Sequence, residues 1–451
     1  MSWHVVIVGG GFGGFYAAKS LEKVLPPHSA RVTLISNDNF LLYSPLLPGA
    51  AAGTLEPRHV VVPLREELPS TDLRVGSVIG ADPEAKTVRV ELLAGQVEDI
   101  HYDQLIVALG SVSRTLPIPG LAEHAVGFKS LSDAIALRNN LIVHLETAEA
   151  INDEETRASW LTQVFVGAGY AGLEGLAELQ DFAADVIDLY PRCRQQGMRW
   201  ILVEARDRVM PEIPASLATF ATAELRSRGI EIRLSTTLDE ITDETARLSD
   251  GEVVPTRSVV WTAGVKPSPI VGKLGLPLDP GGRIVVDKTM RVEGYDHVWA
   301  IGDAAAVPDP ANKGKASPPT AQHAIRQGRL VGRNVAASIG RGKVKPFTYK
   351  TLGVFVDMGR GDAVAQTMGI RWRGAPAWWL ARTYHVAMMP GTKRKARLLV
   401  DWTIGLFFGR DASELGRLGH PMGLEEFLSR PAPETGSESA AQPAPQPVDP
   451  A

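Results

Sequence analysis

A doubly wound α/β fold is predicted because one local pattern occurs twice in the chain. The β-branched run Val5 to Val8 is followed by GGGFGG and then by FYAAKSLEKVL, a helical stretch whose apolar residues lie three and four positions apart. The same order of strand, glycine turn and helix returns in VFVGAGYAGLEGLAEL, which starts at Val164. Alternation of this kind is typical of parallel sheets with helices on both faces.

Five further apolar runs supply strands for both units. RVTLIS and MRWILVE follow the two helices, YDQLIVALG and SVVWTAG each end in glycine, and DHVWAIGD ends at Asp303. The sequence therefore predicts two Rossmann-like units in tandem.

Both glycine turns have the spacing GxGxxG, and its three glycines have separate tasks. The first permits the tight turn, the second leaves the backbone open to a pyrophosphate, and the third lets the helix pack on the strand. Amide dipoles at the helix start then face the phosphates. A turn that serves packing alone is the alternative for either motif, but two coincidences in one chain are much less expected than one. The residues are Gly9, Gly11 and Gly14 in the first turn and Gly167, Gly169 and Gly172 in the second.

The residue that ends the next strand indicates which nucleotide each turn binds. In the second unit this residue is Glu204, whose carboxylate can accept both ribose hydroxyls of NAD and repel the 2′-phosphate of NADP. Arg206 and Arg208 follow closely and could bind that phosphate, so NADPH stays an alternative. In the first unit the strand ends in Ser36, with Asp38 two residues on, which leaves the ribose contact open.

Composition excludes several classes of protein. The 451 residues are 44% hydrophobic and 22% charged, and their formal net charge of −4 is too balanced for nucleic acid as the main partner. The single cysteine, Cys193, excludes a disulfide framework, a redox-active dithiol and a cysteine-rich zinc site within one chain, and no metal site is predicted. The lone cysteine, with no signal-peptide pattern and no uninterrupted apolar run of spanning length, favours a cytosolic protein.

The motifs, taken in order, resemble those of the flavoprotein reductases with two dinucleotide-binding domains. Within that superfamily, FLLYSPLL, IPGLAEHAVGFKSLSDAIALRN, VVWTAGVKPSP, PPTAQHAIRQG and WTIGLFFGRD resemble the type II NADH dehydrogenases, over about Val5 to Leu428. The resemblance implies FAD in the first unit, NADH in the second and a membrane quinone, menaquinone or ubiquinone, as electron acceptor.

The resemblance also implies roles for individual residues. It places Glu174 of GYAGLE between nicotinamide and flavin, Asp303 at the ribityl or pyrophosphate region, and Gln322 beside the flavin ring. Glu174 and Gln322 are the candidate catalytic residues, and Ala321, Gln322 and Ile325 form the candidate quinone site. The candidate cofactor-binding residues are Gly9, Gly11, Gly13, Gly14, Asp38, Ala108, Gly110, Gly302 and Asp303 for FAD, and Gly167, Gly169, Gly172, Glu204 and Gly264 for NADH.

Simple structural roles compete with each of these assignments. Asp303 could cap the residues that follow it, and the helix dipole alone would favour Glu174 near a helix start. Gln322 and Gln327 are five positions apart, so only one should reach the flavin, and Gln322 is preferred. Many relatives have a pair of glutamines at this point of the motif, and here Arg326 replaces the first of them. This replacement puts the polar contact to the quinone headgroup in question.

The character of the chain changes after residue 345. Residues 371–410, named here the basic aromatic region, contain eight Lys or Arg against one Asp and four tryptophans. Pro390 and Gly391 divide it into two helices, too short to span a bilayer. Its basic residues would attract anionic lipid, and Leu398, Leu399, Ile404, Leu406, Phe407 and Phe408 would enter the acyl boundary. A dimer interface is the alternative, and the two are compatible.

These observations predict four regions and one main function. An FAD-binding domain comprises residues 1–130 and 275–345, an NADH-binding domain 131–274, a membrane-association or dimer region 346–430, and a disordered tail 431–451. The expected activity is NADH oxidation with two-electron quinone reduction, without proton pumping, peripherally on the cytoplasmic side of the cell membrane. The alternatives are a soluble NAD(P)H-dependent reductase of a ferredoxin- or rubredoxin-like protein and an NADH-responsive interaction module.

Overall fold

The computed structural model describes residues 3–312, 315–351 and 353–415. The strands, in chain order, are β1 Trp3–Val8, β2 Ala30–Ser36, β3 Phe40–Leu42, β4 Val61–Pro63, β5 Asp72–Asp82, β6 Thr87–Leu92, β7 Val97–His101, β8 Gln104–Val107, β9 Ser111–Ser113, β10 Ala125–Gly127, β11 Thr162–Val166, β12 Arg199–Glu204, β13 Ile230–Leu234, β14 Leu238–Ile241, β15 Thr245–Leu248, β16 Val253–Pro255, β17 Ser258–Trp261, β18 Val265–Pro267, β19 Val298–Ala300, β20 Gly353–Asp357, β21 Ala363–Thr367 and β22 Ile370–Arg373. The helices are α1 Phe12–Val24, α2 Leu47–Ala51, α3 Leu64–Glu67, α4 Leu121–His124, α5 Leu131–Ala150, α6 Glu154–Leu161, α7 Tyr170–Val186, α8 Pro191–Gln196, α9 Ala215–Ser227, α10 Ala321–Ser338, α11 Ala375–Met388 and α12 Thr392–Ile404.

Two separate sheets confirm the predicted α/β fold with Rossmann-like units. The first has the order β19-β8-β1-β2-β5-β6-β7, parallel from β19 to β5 and antiparallel from β5 to β7. The second has the order β10-β17-β11-β12-β13 and is parallel throughout. In each sheet a strand that leads into a glycine turn lies inside, with later strands on both sides. The crevice at the carboxyl ends of such strands is where open α/β sheets bind ligands.

Burial of the central strands on both faces explains their continuous apolar runs. Val5 to Val8 are at most 1% exposed, and every residue of β11 is buried. Parallel sheets covered on both sides lack the polar alternation of half-exposed strands. The continuous apolar sequence of these strands therefore fits their position inside the sheets.

Helices α1 and α10 pack against each other at backbone distance. A Cβ atom at Gly328 would lie 2.4 Å from the carbonyl oxygen of Gly13, and one at Gly332 would lie 2.7 Å from that of Ala17. Side chains larger than hydrogen would push the helices apart at both positions. This glycine contact holds α10 against the start of α1.

The basic aromatic region folds as β22, α11 and α12, with the helix break at Pro390 and Gly391 as predicted. Leu398 is wrongly assigned to a lipid-facing set, because it is fully buried in the core beneath α12. The other five predicted apolar residues, Leu399, Ile404, Leu406, Phe407 and Phe408, are all more than half exposed. Among the described residues, no helix has the length and apolar character to cross a bilayer.

The predicted domain boundaries stay predictions. Strand β10, which ends three residues before the predicted boundary at residue 130, already pairs with β17 of the second sheet. Strand β19 returns the chain to the first sheet beside β8. The predicted tail, 431–451, lies outside the described residues.

Candidate active site

The first and third glycines of both turns are required by the backbone. Gly9 and Gly167 both have a φ of +105°, in the left-handed region that favours glycine. A Cβ atom at Gly14 would lie 1.8 Å from the carbonyl oxygen of Gly9, and one at Gly172 would lie 1.9 Å from that of Gly167. Both turns therefore close in the same way.

The second glycines leave open space where a phosphate would approach. Gly11 and Gly169 are the N-cap residues of α1 and α7, and both are extended with no side-chain cap. A Cβ atom at either would have no protein atom within 4 Å. The amides of each helix start thus adjoin open space, and the residues present fit the pyrophosphate of a dinucleotide.

The two turns differ at the residue that ends the following strand. In the second unit, the Glu204 carboxylate accepts hydrogen bonds from the N–H groups of Ala168, at 2.7 Å, and Arg206, at 3.0 Å. In the first unit, the hydroxyl of buried Ser36 faces Gly10, and Asp38 lies exposed beyond the strand. Only the second turn has a carboxylate fixed beside its glycines.

The two arginines near Glu204 have partners other than a ligand. A guanidinium nitrogen of Arg206 lies 3.9 Å from the Glu212 carboxylate, and Arg208 donates to the carbonyl oxygen of Pro211. In both contacts the arginine side chain meets a partner other than the Glu204 carboxylate.

Asp303 is held by a chain of polar side chains at the carboxyl end of the first sheet. The Ser111 hydroxyl donates to Asp303 Oδ2 at 2.6 Å, and Lys129 Nζ donates to Ser111 Oγ at 2.8 Å. Burial lowers the pKa of Lys129, and the Asp303 charge opposes that effect. Ser111 and Lys129 were absent from the predicted site because they follow different strands and share no local motif with Asp303.

Gln327, not Gln322, contacts the turn before Asp303. The N–H of Gly302, where φ is +68°, donates to Gln327 Oε1 at 2.7 Å, and Gln327 is 1% exposed.

The candidate FAD residues Ala108 and Gly110 follow β8 in the same crevice, and Ala108 donates its N–H to Val8 O. Gly13 is buried at the helix start.

Gln322 lies at the start of α10 and contacts the C-terminal part of the chain. Its amide nitrogen donates to the carbonyl oxygen of Gly353 at 3.1 Å, and the Tyr349 hydroxyl donates to its Oε1 at 2.7 Å. The Arg326 guanidinium stacks over the Tyr349 ring at 4.3 Å and donates to the Gln322 carbonyl. Ala321 is half-buried, and Ile325 lies in the hydrophobic core.

Gly264 follows β17, the strand beside the second glycine turn. Its φ is +92°, and a Cβ atom there would meet no protein atom within 4 Å. Its carbonyl oxygen accepts a hydrogen bond from the N–H of Arg114, so it joins the two units.

Glu174 lies on α7 beside a small cavity of about 30 Å³. Its Oε1 accepts a hydrogen bond from the N–H of Asp357 at 3.0 Å, and burial raises the pKa of Glu174 well above its usual range. Glu178, Asp357 and Arg382 line the same cavity. All three were absent from the predicted site, although Glu178 is one helical turn after Glu174 and that spacing places it on the same helix face. Within the described ranges, no group of His, Cys, Asp and Glu forms a metal site.

Comparison with known proteins assigns the family. The family model for pyridine nucleotide-disulphide oxidoreductases matches residues 3–328. The type II NADH:quinone oxidoreductase Ndh of Mycobacterium tuberculosis is 31% identical over 89% of this chain and 87% of its own length. The chain is a member of this family, among the type II NADH dehydrogenases.

Other members of the family match over nearly the whole chain. A probable NADH dehydrogenase of Dictyostelium discoideum is 29% identical over 91% of this chain and 90% of its own length. The solved structure of NDH2 from Plasmodium falciparum in complex with NADH has the same fold, with a TM-score of 0.85 at 18% identity, and the match covers 92% of this chain and all of the other. The predicted family is thus confirmed.

This chain lacks the pair of cysteines that the disulphide chemistry in the family's name requires. The chain has one cysteine, Cys193, which is fully buried and donates to the carbonyl oxygen of Leu145. Burial and the neighbouring Glu149 raise the pKa of this thiol to about 12. An intrachain disulfide cycle is therefore excluded, and electrons must reach the acceptor without cysteine.

Proposed function

We propose that this protein oxidises NADH and reduces a membrane quinone by two electrons, with FAD as its bound cofactor. The observation that carries the proposal is the pair of open glycine turns, each with a free helix start, in a chain that matches NADH:quinone oxidoreductases along nine-tenths of its length. Bound FAD would accept two electrons from NADH and pass them to the quinone.

The residues of the first unit would hold FAD by its pyrophosphate and ribityl groups. The open space at Gly11 admits the pyrophosphate to the amides of α1. Asp303, fixed by Ser111, offers a carboxylate to the hydroxyls of the ribityl chain. Gln327 holds the Gly302–Asp303 turn against α10, so it positions Asp303 without touching the ligand.

The second unit is proposed to bind NADH in preference to NADPH. Glu204 is fixed at two hydrogen bonds and would accept the ribose hydroxyls, whereas a 2′-phosphate would meet its negative charge. Arg206 and Arg208 are engaged by Glu212 and by the Pro211 carbonyl.

Glu174 and Gln322 are the proposed polar groups near the reacting rings. Burial raises the pKa of Glu174 well above its usual range, which favours the protonated form, and a protonated carboxyl can donate a hydrogen bond as well as accept one. Gln322, with Ala321 and Ile325 beside it on α10, is the proposed contact to the quinone headgroup. Its amide is oriented by Tyr349 and Gly353.

The quinone is proposed to enter from a membrane on which the protein lies peripherally, on the cytoplasmic side. Support comes from the exposed apolar set Leu399, Val400, Ile404, Leu406, Phe407 and Phe408, beside exposed Lys393 and Arg397. Aromatic and basic side chains of this kind favour the headgroup region, at about 1 kcal/mol for each basic residue near an anionic surface. A homodimer through the same region is compatible with this arrangement.

Anaerobic mixing with NADH and then with a soluble quinone analogue tests the proposal. We expect NADH to bleach the flavin absorbance and the quinone analogue to restore it, with NADPH much slower in the first step. Bleaching without recovery by any quinone would contradict the proposal and favour a ferredoxin- or rubredoxin-like acceptor. Slow bleaching under all conditions would instead favour an NADH-responsive interaction module.

A further inference from the structure

Three polar side chains from both sheets form one continuous series of hydrogen bonds. Asp303 follows β19 and Ser111 follows β8, both in the first sheet, whereas Lys129 follows β10 of the second sheet. The Ser111 hydroxyl donates to Asp303 Oδ2 at 2.6 Å, and Lys129 Nζ donates to Ser111 Oγ at 2.8 Å. This polar triad therefore brings a cation from the second sheet to the carboxylate that is proposed to hold the ribityl group.

The polar triad lies where the carboxyl ends of the two sheets are joined. Strand β9, which begins at Ser111, pairs with β18, which follows β17 of the second sheet, and Ser111 lies opposite Pro267. The neighbouring residue Gly110 has a φ of +65°, and a Cβ atom there would meet no protein atom within 4 Å. Open space thus adjoins Ser111 at the end of the first sheet where α/β folds bind ligands.

The start of α5 fixes the backbone of Lys129 but does not explain its charge. Asp133 Oδ2 accepts from the N–H of Lys129 at 2.8 Å and from that of Ser130 at 2.9 Å, and the Ser130 hydroxyl accepts from the N–H of Asp133. These bonds form a capping box. Because the positive end of the helix dipole disfavours a cation beside a helix start, the reason for a lysine lies with the partners of its side chain.

The Lys129 ammonium has more donors than protein partners. An ammonium has three N–H groups, and among the described residues only Ser111 Oγ accepts a hydrogen bond from this one. Burial lowers the pKa of Lys129, and the charge of Asp303 opposes that effect and favours the cation. Two N–H groups of a half-buried cation therefore remain for a ligand.

A cation at this place fits the charge change that NADH oxidation produces. NADH gives up a hydride, which brings two electrons and one proton and leaves the flavin ring with one more negative charge. That charge collects at N1 and C2=O, the pyrimidine edge, which is the part of the ring next to the ribityl chain. Asp303 is proposed to hold the ribityl hydroxyls, and two hydrogen bonds connect it to Lys129 Nζ. A cation fixed in advance beside a developing charge stabilises it strongly.

We propose that Lys129 donates a hydrogen bond to the pyrimidine edge of the flavin ring and stabilises the ring after its reduction. This inference rests on the proposed function, in which the first unit holds FAD and NADH reduces it. The N–H groups not used by Ser111 make the contact, and Lys129 keeps its proton. Over one turnover, NADH, one proton from water and quinone give NAD⁺ and quinol, and Lys129 is unchanged.

Sulfite affinity and midpoint potential test the contact without turnover. Sulfite is the probe, because its sulfur forms a bond to N5 of oxidised flavin and its electron pair leaves a negative charge at the pyrimidine edge. In flavin-loaded Lys129→Met we expect sulfite to bind about tenfold more weakly, since a charge-assisted hydrogen bond is lost. The two-electron midpoint potential should fall by about 30 mV, which is the same factor of ten. Lys129→Arg keeps the cation and should keep most of the affinity.

The pH dependence of the wild-type potential tests the contact without any substitution. If Lys129 keeps N1 unprotonated after reduction, one proton accompanies the two electrons, and each tenfold change in proton concentration shifts the midpoint by about 30 mV. We expect this slope down to pH 6. Twice this slope near pH 6 in the wild type would contradict the inference, because a second proton would then bind the ring. In Lys129→Met, the doubled slope is the expected result.

Two further variants separate a direct contact from indirect effects. Lys273→Met removes an exposed lysine shortly after β18, so sulfite affinity and potential should equal those of the wild type. Ser111→Ala leaves the ammonium in place and should weaken sulfite binding less than Lys129→Met does. An equal loss in Ser111→Ala and Lys129→Met would show that the polar triad only positions Asp303, and would overturn the direct contact.

The outcomes separate this inference from the proposed function. Flavin content and thermal melting show whether Lys129→Met is folded and loaded, and if it is not, the wild-type pH slope decides. Unchanged sulfite affinity and potential in the loaded variant would overturn the contact and leave the proposed function standing. A wild-type protein that NADH reduces but no quinone reoxidises would overturn the proposed function, while both readouts would still decide the role of Lys129.

Discussion

The two glycine turns of this chain are built alike but end in different residues. Both have a first glycine at a φ of +105°, a second glycine that faces open space and a third glycine against the carbonyl oxygen of the first. The strand that follows ends in Ser36 in one unit and in Glu204 in the other. We infer from this difference that the turn provides the place for a pyrophosphate, while the strand end selects the nucleotide.

Alanine at the third glycine should have the largest effect in both units. Because a Cβ atom at Gly14 or Gly172 would lie within 2 Å of a carbonyl oxygen, each substitution should lower the free energy of unfolding by about 1–3 kcal/mol or more. Gly14→Ala should lose bound flavin, whereas Gly172→Ala should keep it and lose bleaching by NADH. Thermal melting and visible absorbance measure both effects. Gly272→Ala, where a Cβ atom would meet no neighbour, is the matched control.

Alanine at the second glycine should separate binding from folding. Gly169 has a φ of −76°, which any residue adopts, and no protein atom lies near its Cβ direction. Gly169→Ala should therefore leave the free energy of unfolding within about 0.5 kcal/mol of wild type but raise the KM for NADH about tenfold. Gly11→Ala should act likewise on flavin affinity. An unchanged KM would show that the ligand does not approach this backbone.

Glu204→Gln should change the choice between the two nicotinamide cofactors. The amide keeps an acceptor for the N–H of Ala168 but loses the charge that would repel a 2′-phosphate. We expect kcat/KM for NADH to fall about tenfold and the ratio of NADPH to NADH rates to rise. Glu155→Gln, an exposed carboxylate on α6 away from the glycine turn, is the control. A constant ratio would mean that another residue selects the cofactor.

Ser36→Ala should have the smallest effect. A hydroxyl contributes about 1 kcal/mol through one hydrogen bond, so flavin affinity should fall less than about fivefold. Fluorescence of released flavin under mild denaturation measures this change. A loss as large as that from Glu204→Gln in the other unit would contradict the inferred difference between the two strand ends.

The sequence predicts the fold where the pattern is local. Strands β1 and β11, both glycine turns and the helix break at Pro390 and Gly391 lie where apolar runs and glycine spacing predict them. Leu398 shows the limit of such patterns. It shares a helix with lipid-facing candidates, but the side of α12 that meets the core is decided by packing against distant residues.

The site was less predictable because its polar partners come from distant segments. From the sequence Gln322 is preferred over Gln327, and only the approach of α10 to the Asp303 turn gives Gln327 its contact with that turn. Asp357 is 183 positions from Glu174, so no spacing rule could have paired them. Glu178 was within reach of the sequence, since a second acid one turn after Glu174 marks the same helix face.

The close contact of α1 with α10 has a consequence for motion. Gly328 and Gly332 let the two helices touch at their backbones, and α10 also holds the Asp303 turn through Gln327. Neither helix can open without separating this contact, so their amide protons should exchange with solvent only when the whole unit unfolds. We therefore expect the floor of the first nucleotide site to keep one conformation during turnover, and hydrogen exchange at the amides of α1 and α10 would measure this.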